Sequence, residues 1–365
     1  MRYKRVITPV SFLVLLTACT GTPSFDPTPR PSRPGQVVVI AGSPQNHEPP
    51  RDGEYAVESS ARSEGGLAID AGNGVIYLRV LGGGDKPVER IERDGTLTVL
   101  RPKAPGDQLG FTPGTLWIMS SYKGLRLTKM SLSNLSETKV LDSDEGPAIQ
   151  VLGPSGSPLR ERRQATLRKS LAGARFVVRG DDIPVIVSQA GDLYEVAGPD
   201  KIKQWRPQGY PEAMHGLVGD ADLRPASAVP LGGRGLLLVA PTGLLRITDD
   251  RAQGIRIHMR AGGLPDWSAV LPLEDGSALL LGGTSAVEPS PRPGLVRPDG
   301  RLEVLSYGKR QICDDFDGSM AVLASADPVG MGRMKNGDYV VVDQACSRTY
   351  RVRLPSSFAG VPHTR

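Results

Sequence analysis

One pattern recurs along the chain and limits what it can become. It is an apolar stretch, a short turn holding a glycine, then three or four apolar residues in succession. It runs through Leu67 to Asp70, Asn73-Gly74 and Val75-Ile76-Tyr77-Leu78. It returns at Val229 to Leu231, Gly235 and Leu236 to Val239, and again at Val270 to Leu273, Asp275-Gly276 and Ala278 to Leu281. A fourth copy is Met331 to Met334, Asn336-Gly337 and Tyr339 to Val342. Asn-Gly and Asp-Gly suit tight hairpins in which both central residues take positive φ. The runs after them are short and rich in Val, Ile and Leu, as strands buried on both faces are. A second hairpin follows in two places, where Arg93 to Leu100 matches Pro298 to Leu305. Both alternate in polarity after the turn, as a half-exposed outer strand does.

The repeat unit is therefore about four antiparallel strands in about 40–50 residues, the period of a propeller blade. The abundance of turn formers, Gly 44 and Pro 32, suits many short strands better than long helices. The expected fold is all-β, a six-bladed β-propeller over 36–354, with units near 66–103, 114–142, 174–207, 226–261, 268–306 and 329–354. A long gap between the second and third units leaves seven blades as the alternative. The last unit is one strand short, and Val37-Val38-Val39-Ile40 is a spare strand. Pairing the two would close the ring and leave no exposed edge.

These residues resemble the NHL-repeat family of six-bladed propellers. Repeats of that family carry a Gly/Asp loop with alanines ahead of the apolar hairpin. Here Asp52-Gly53 precedes Ala56 and Ala61, Gly219-Asp220 precedes Ala221, Ala226 and Ala228, and Asp317-Gly318 precedes Ala321 and Ala324. The family's Asp after the second strand, with a later Arg, is matched by Asp343 and Arg348. The resemblance is good in the first, fourth and last units and loose in the others. It implies a fold and no activity, since propellers host enzymes and binders alike.

The N-terminus carries an address. Arg2, Lys4 and Arg5 form a positive stretch, Val6 to Leu16 an apolar one, and Leu16-Thr17-Ala18-Cys19 follows. Small residues before a cysteine in that order resemble a bacterial lipoprotein lipobox. The resemblance implies a signal peptide over 1–18, lipidation of Cys19 and a membrane anchor in the cell envelope, outside the cytoplasm. Residue 20 is Thr, so the usual Asp signal for inner-membrane retention is absent. Residues 19–35 are rich in Pro and small polar residues, which makes an extended, solvated tether. Removing the three cations of the leader takes the formal net charge from +5 to +2. Nucleic acid as a partner thereby loses its electrostatic support. The remaining partners are the membrane, reached through Cys19, and a protein or glycan. The last residues, 355–365, read as a tail.

Two features stand outside the repeat. Residues 157–173 read as a short basic helical insertion: Ser157 caps, Pro158 suits the first turn and Gly173 ends it. Arg160, Arg162, Arg163, Arg168 and Lys169 make it basic, and Leu159, Leu167 and Leu171 form a narrow apolar stripe. It is either a handle for an anionic surface or a solvated helix packed over a blade edge. Cys313 and Cys346 remain once Cys19 is lipidated, and an even pair in an oxidising compartment points to a disulfide.

Catalytic chemistry is sparse. His47 and His215 lie in loops that lead into a blade, where propellers line one mouth of the central channel. Asp52, Asp220 and Asp317 lie in the same kind of loop. Together they are the candidate ligand-binding residues. Asp314, Asp315 and Asp317 cluster before Gly318, and Ca²⁺ is the cation such a turn would favour. The run lacks the ligands of a full calcium loop, so no defined metal site and no required cofactor follow. No nucleophile triad or phosphate loop stands out. The expected role is a binding or scaffold module for a protein, peptide or glycan rather than an enzyme. The alternative is a lyase or lactonase-like hydrolase using a divalent metal in the central channel, where acids and a His from different blades would converge.

Overall fold

The computed structural model describes residues 29–355 apart from 44–45, 47, 61–62, 81–86, 122–123, 144–148, 161–170, 213–227, 241, 259–268, 283–292, 306–312, 314–315 and 325–327. Strand β1 (Val37–Ala41) opens the described chain. Blade one is β2 (Ser63–Asp70), β3 (Val75–Val80), β4 (Val88–Ile91) and β5 (Leu97–Leu100). Blade two is β6 (Gln108–Thr112), β7 (Thr115–Ser120), β8 (Arg126–Ser131) and β9 (Glu137–Asp142). A short strand β10 (Gln150–Leu152) precedes blade three, which is β11 (Arg175–Val178), β12 (Pro184–Val187), β13 (Leu193–Gly198) and β14 (Lys201–Trp205). Blade four is β15 (Ala228–Pro230), β16 (Leu236–Ala240), β17 (Gly243–Thr248) and β18 (Arg251–Arg256). Blade five is β19 (Ala269–Pro272), β20 (Ala278–Leu281), β21 (Gly294–Val296) and β22 (Leu302–Val304). Blade six is β23 (Pro328–Arg333), β24 (Tyr339–Asp343) and β25 (Arg348–Val352), completed by β1.

The first strands of the blades neighbour one another in cyclic order, from β2 through β6, β11, β15, β19 and β23 and back to β2. That order is a ring of six sheets. The clasp is antiparallel, with Val37 opposite Val352 and Val39 opposite Tyr350. The gap that left seven blades open holds β10, which lies parallel to β14 as a fifth strand of blade three. Val151 within it and Ile149 just before it are fully buried against blades two and three, so burial draws this segment onto an existing edge. Blade two begins at Gln108, earlier than the repeat suggests.

Why the middle strands read as unbroken apolar runs is plain from the packing. Ala278 and Leu280 of β20 face blade four, while Leu279 and Leu281 face blade six. Each alternate set joins an apolar layer between two blades, so both faces of the sheet are buried. The inner strands pack closely: a side chain at Gly110 would lie 2.6 Å from Phe176 and from Val178.

The hairpin turns differ from the expected two-residue type. In Glu92–Thr96, Ser188–Asp192, Leu273–Ser277, Arg297–Arg301 and Met334–Asp338, the fourth residue's N–H bonds to the first residue's carbonyl. The first N–H in turn bonds to the fifth carbonyl. Only the glycine takes positive φ, as at Gly95 and Gly276. This is a three-residue loop, a type I turn followed by a left-handed residue. The Asp or Asn before the glycine turns back instead, accepting from the fifth residue's N–H: Asp94 from Thr96, Asp275 from Ser277, Asp299 from Arg301 and Asn336 from Asp338.

Cys313 and Cys346 form a disulfide. It ties the segment ahead of the 3-10 turn Met320–Ala324 to the β24–β25 hairpin, beside the clasp. Of the basic insertion, 161–170 lie outside the described residues. Leu159 and Leu171 at its two ends pack against the apolar layer between blades two and three.

Candidate functional site

The loop residues singled out from sequence are not brought together among the described residues. Asp52 is exposed, and its Oδ1 accepts the Val99 N–H of β5 at 2.6 Å. Asp317 is exposed, and its Oδ1 accepts the Ser319 N–H at 2.8 Å, the same arrangement Asp94 and Asp275 make. Each carboxylate thus serves its own chain junction. His47, His215, Asp220, Asp314, Asp315 and Cys19 lie outside the described residues. Among the described residues no three His, Cys, Asp or Glu side chains are grouped to hold a metal ion.

A different place gathers chemistry. Between blades three and four lies a cleft of ≈ 580 Å³. Behind its lining residues Glu195 and Trp205 lies Arg179, just past the end of β11, whose side chain is 0% exposed. Arg179 makes a two-pronged contact with Asp181, Nε to Oδ1 at 2.9 Å and Nη2 to Oδ2 at 2.7 Å. Its Nη1 reaches Glu195 Oε1 at 2.8 Å, and its guanidinium lies 4.5 Å from the centre of the Trp205 ring. Charge, hydrogen bonds and the π face are all satisfied, which is how a buried cation is tolerated.

A second arginine lies above the first. Arg234, in the first turn of blade four, reaches Asp250 Oδ2 at 2.6 Å and Glu195 Oε1 at 3.4 Å. Trp205 donates its indole N–H to Asp250 Oδ1 at 3.0 Å. The acids Glu195 and Asp250 are thereby engaged. The cations Lys203, Arg206 and Arg251 that line the same cleft have no acidic partner among the described residues. Asp249 and Gln208 complete that rim.

The β17–β18 turn that carries the acids is unusual. Thr248 pairs with Arg251 across it, and Asp249 and Asp250 take φ of 48° and 58°. This is the two-residue turn that Asn-Gly favours. Here it is built from two aspartates, each in the left-handed region at a cost on the order of 1 kcal/mol. Strain of this kind gathers where function requires a set geometry. Sequence patterns missed the site because its parts come from turns and from separate strands of two blades. The one local sign was Asp249-Asp250 standing where the hairpins after β2, β19 and β23 carry Asn-Gly or Asp-Gly.

Solved structures of similar fold include an auxiliary nutrient binding protein from Bacteroides ovatus, at 10% identity over 87% of this chain and 76% of that one, with a TM-score of 0.51. Others are virginiamycin B lyase from Staphylococcus aureus, at 12% identity over 87% and 98%, TM-score 0.49, and a gluconolactonase from Xanthomonas campestris, at 12% over 89% and 99%, TM-score 0.47. Identities this low speak to the fold. No family model matches the chain, and no curated protein matches it. Ring, clasp and inter-blade layers together define a six-bladed β-propeller.

Proposed function

We propose that this propeller, of the NHL-repeat kind, is a lipid-anchored extracytoplasmic binding module that holds a protein, peptide or glycan. The observation that carries the binding reading is the cleft between blades three and four. Its acids Glu195 and Asp250 are engaged by Arg179, Arg234 and Trp205, and its cations Lys203, Arg206 and Arg251 have no acidic partner among the described residues. Preorganised polar groups of this kind lower the ordering cost of binding. The cleft takes precedence over the loops holding Asp52 and Asp317, whose carboxylates are already bonded within their junctions. The anchoring reading rests on the order of cations, apolar stretch and Cys19 at the N-terminus.

Cross-linking in native membranes, followed by mass spectrometry, tests the binding reading. The expected result is a captured partner linked through residues of blades three and four, with capture reduced in an Arg206→Glu, Arg251→Glu variant. Cross-links confined to other blades, or unchanged capture by that variant, would overturn it. Anchoring is tested separately with Cys19→Ser, which should move the protein out of the membrane fraction. Retention there would refute lipidation at this cysteine.

A further inference from the structure

We infer that the cleft takes an acidic oligosaccharide, a hydroxyl-rich ligand that carries a carboxylate. This rests on the binding reading above and names its ligand. The lining decides the class. Most small-molecule sites are walled mainly by apolar side chains with a few polar groups. This one is walled by arginine, lysine, carboxylate and amide groups, with Pro154 and Trp205 as its apolar members. A peptide that anchors itself by apolar side chains finds no hole to fill. Hydroxyl groups both donate and accept, so they match a rim offering donors at Arg206 and Arg251, an acceptor at Asp249 and an amide with both at Gln208.

The charge left over sets the second requirement. Glu195 is bonded to Arg179 and Arg234, and Asp250 to Arg234 and Trp205. What remains facing the space is Lys203, Arg206 and Arg251 against Asp249. That excess of positive charge favours a ligand carboxylate, and a planar guanidinium can take one in a two-pronged contact. A cleft of ≈ 580 Å³ falls within the range of roughly 300–1,000 Å³ usual for small ligands, so a short oligosaccharide fits and a long polymer would enter by its end.

Geometry supports the choice once more at the turn. Asp249 and Asp250 hold left-handed backbone where glycine would rest without strain. With aspartates there, one carboxylate fixes Trp205 and Arg234 while the other faces the cleft.

Calorimetric titration of the full-length protein tests the inference. The probes are trigalacturonate, trimannuronate and a hyaluronan tetrasaccharide, with maltotriose and cellotriose as neutral counterparts and triglutamate as an acidic peptide. The expected result is binding of at least one uronate probe that weakens as salt rises. Arg251→Gln and Arg206→Gln should each weaken it about tenfold, the loss expected for a charge-assisted hydrogen bond. Both side chains are exposed and have no acidic partner among the described residues, so these variants should keep the wild-type Tm, and Asp52→Asn should bind as wild type does. Equal binding of the neutral sugars overturns the carboxylate requirement. Binding of triglutamate alone overturns the saccharide. Binding of no probe overturns the ligand class altogether. In the last two cases the cross-linking variant above still decides, independently, whether the cleft binds a partner at all.

Discussion

Blade three and blade one each bury an ionisable side chain completely, and they accommodate it in opposite ways. Arg179 in blade three is surrounded by Asp181, Glu195 and the Trp205 ring. Glu89 in β4 of blade one is equally inaccessible, yet neither carboxyl oxygen has a hydrogen-bond partner among the described residues. It lies opposite Leu78 on one side and Val99 on the other. Burial, with a smaller push from the Glu54 charge, raises its pKa from the usual 4.5 to about 8. The first charge is kept and compensated. The second is removed by holding a proton. Arg179 is thus matched by partners, whereas Glu89 is neutralised within the packed blade.

The comparison breaks most visibly if Arg179 is removed. Arg179→Ala leaves the half-buried Glu195 and the exposed Asp181 without their main cation and empties the space beside the Trp205 ring, so unfolding free energy should drop by about 3 kcal/mol. Urea denaturation would measure it, and a loss under 1 kcal/mol would mean the network is not a structural unit. An uncharged restraint provides the control. Opening the Cys313–Cys346 bridge by Cys346→Ser should cost about 3–4 kcal/mol through the loop it closes. That cost should be the same at pH 5 and pH 9, and a strongly pH-dependent cost would contradict a purely covalent role.

Glu89 should show the contrary behaviour. Between pH 4.5 and about 8 the unfolded chain has released this proton while the folded one retains it. Stability contributed by the protonated form is complete below pH 4.5 and falls as pH rises, by about 1.4 kcal/mol per unit, until the folded pKa is passed. Glu89→Gln should flatten that part of the stability profile. An unchanged slope in the variant would assign the decline to other groups. The smallest effect belongs to Arg234, which shares Glu195 with Arg179 and has 47% of its side chain in water. Arg234→Gln should cost at most about 1 kcal/mol, because its contacts to Glu195 and Asp250 are made in water.

Much of the ring could be read from the sequence, for one reason. A middle strand pressed between two neighbouring blades must be apolar on both sides, and β16, β20 and β24 announce themselves as LLLVA, ALLL and YVVVD. The clasp was legible because one unit lacked a strand and one strand lacked a unit. Strand β6, QLGFT, was overlooked because its inward glycine and its Gln have no apolar signature. That Gln108 instead bridges to blade three, accepting from Phe176 N–H and donating to the Ala174 carbonyl. The turn type was misread because Asp-Gly names a preferred dipeptide and leaves the loop length free. The cleft stayed hidden for a deeper reason. Glu195, Trp205, Arg234 and Asp250 each look like an ordinary residue of a solvated edge until two blades are set side by side.

The clasp also sets the order of assembly. The strand that leaves the ribosome among the first, β1, finds its partner β25 only when the last blade has been made. Every intermediate length of the chain is an open arc with two unfinished sides, one at each end. Contacts that join the far ends of a chain make folding slow and leave strand edges free to pair with the wrong molecule. A truncation before β25 therefore removes the partner of β1 and forfeits closure of the whole circle rather than one sixth of it.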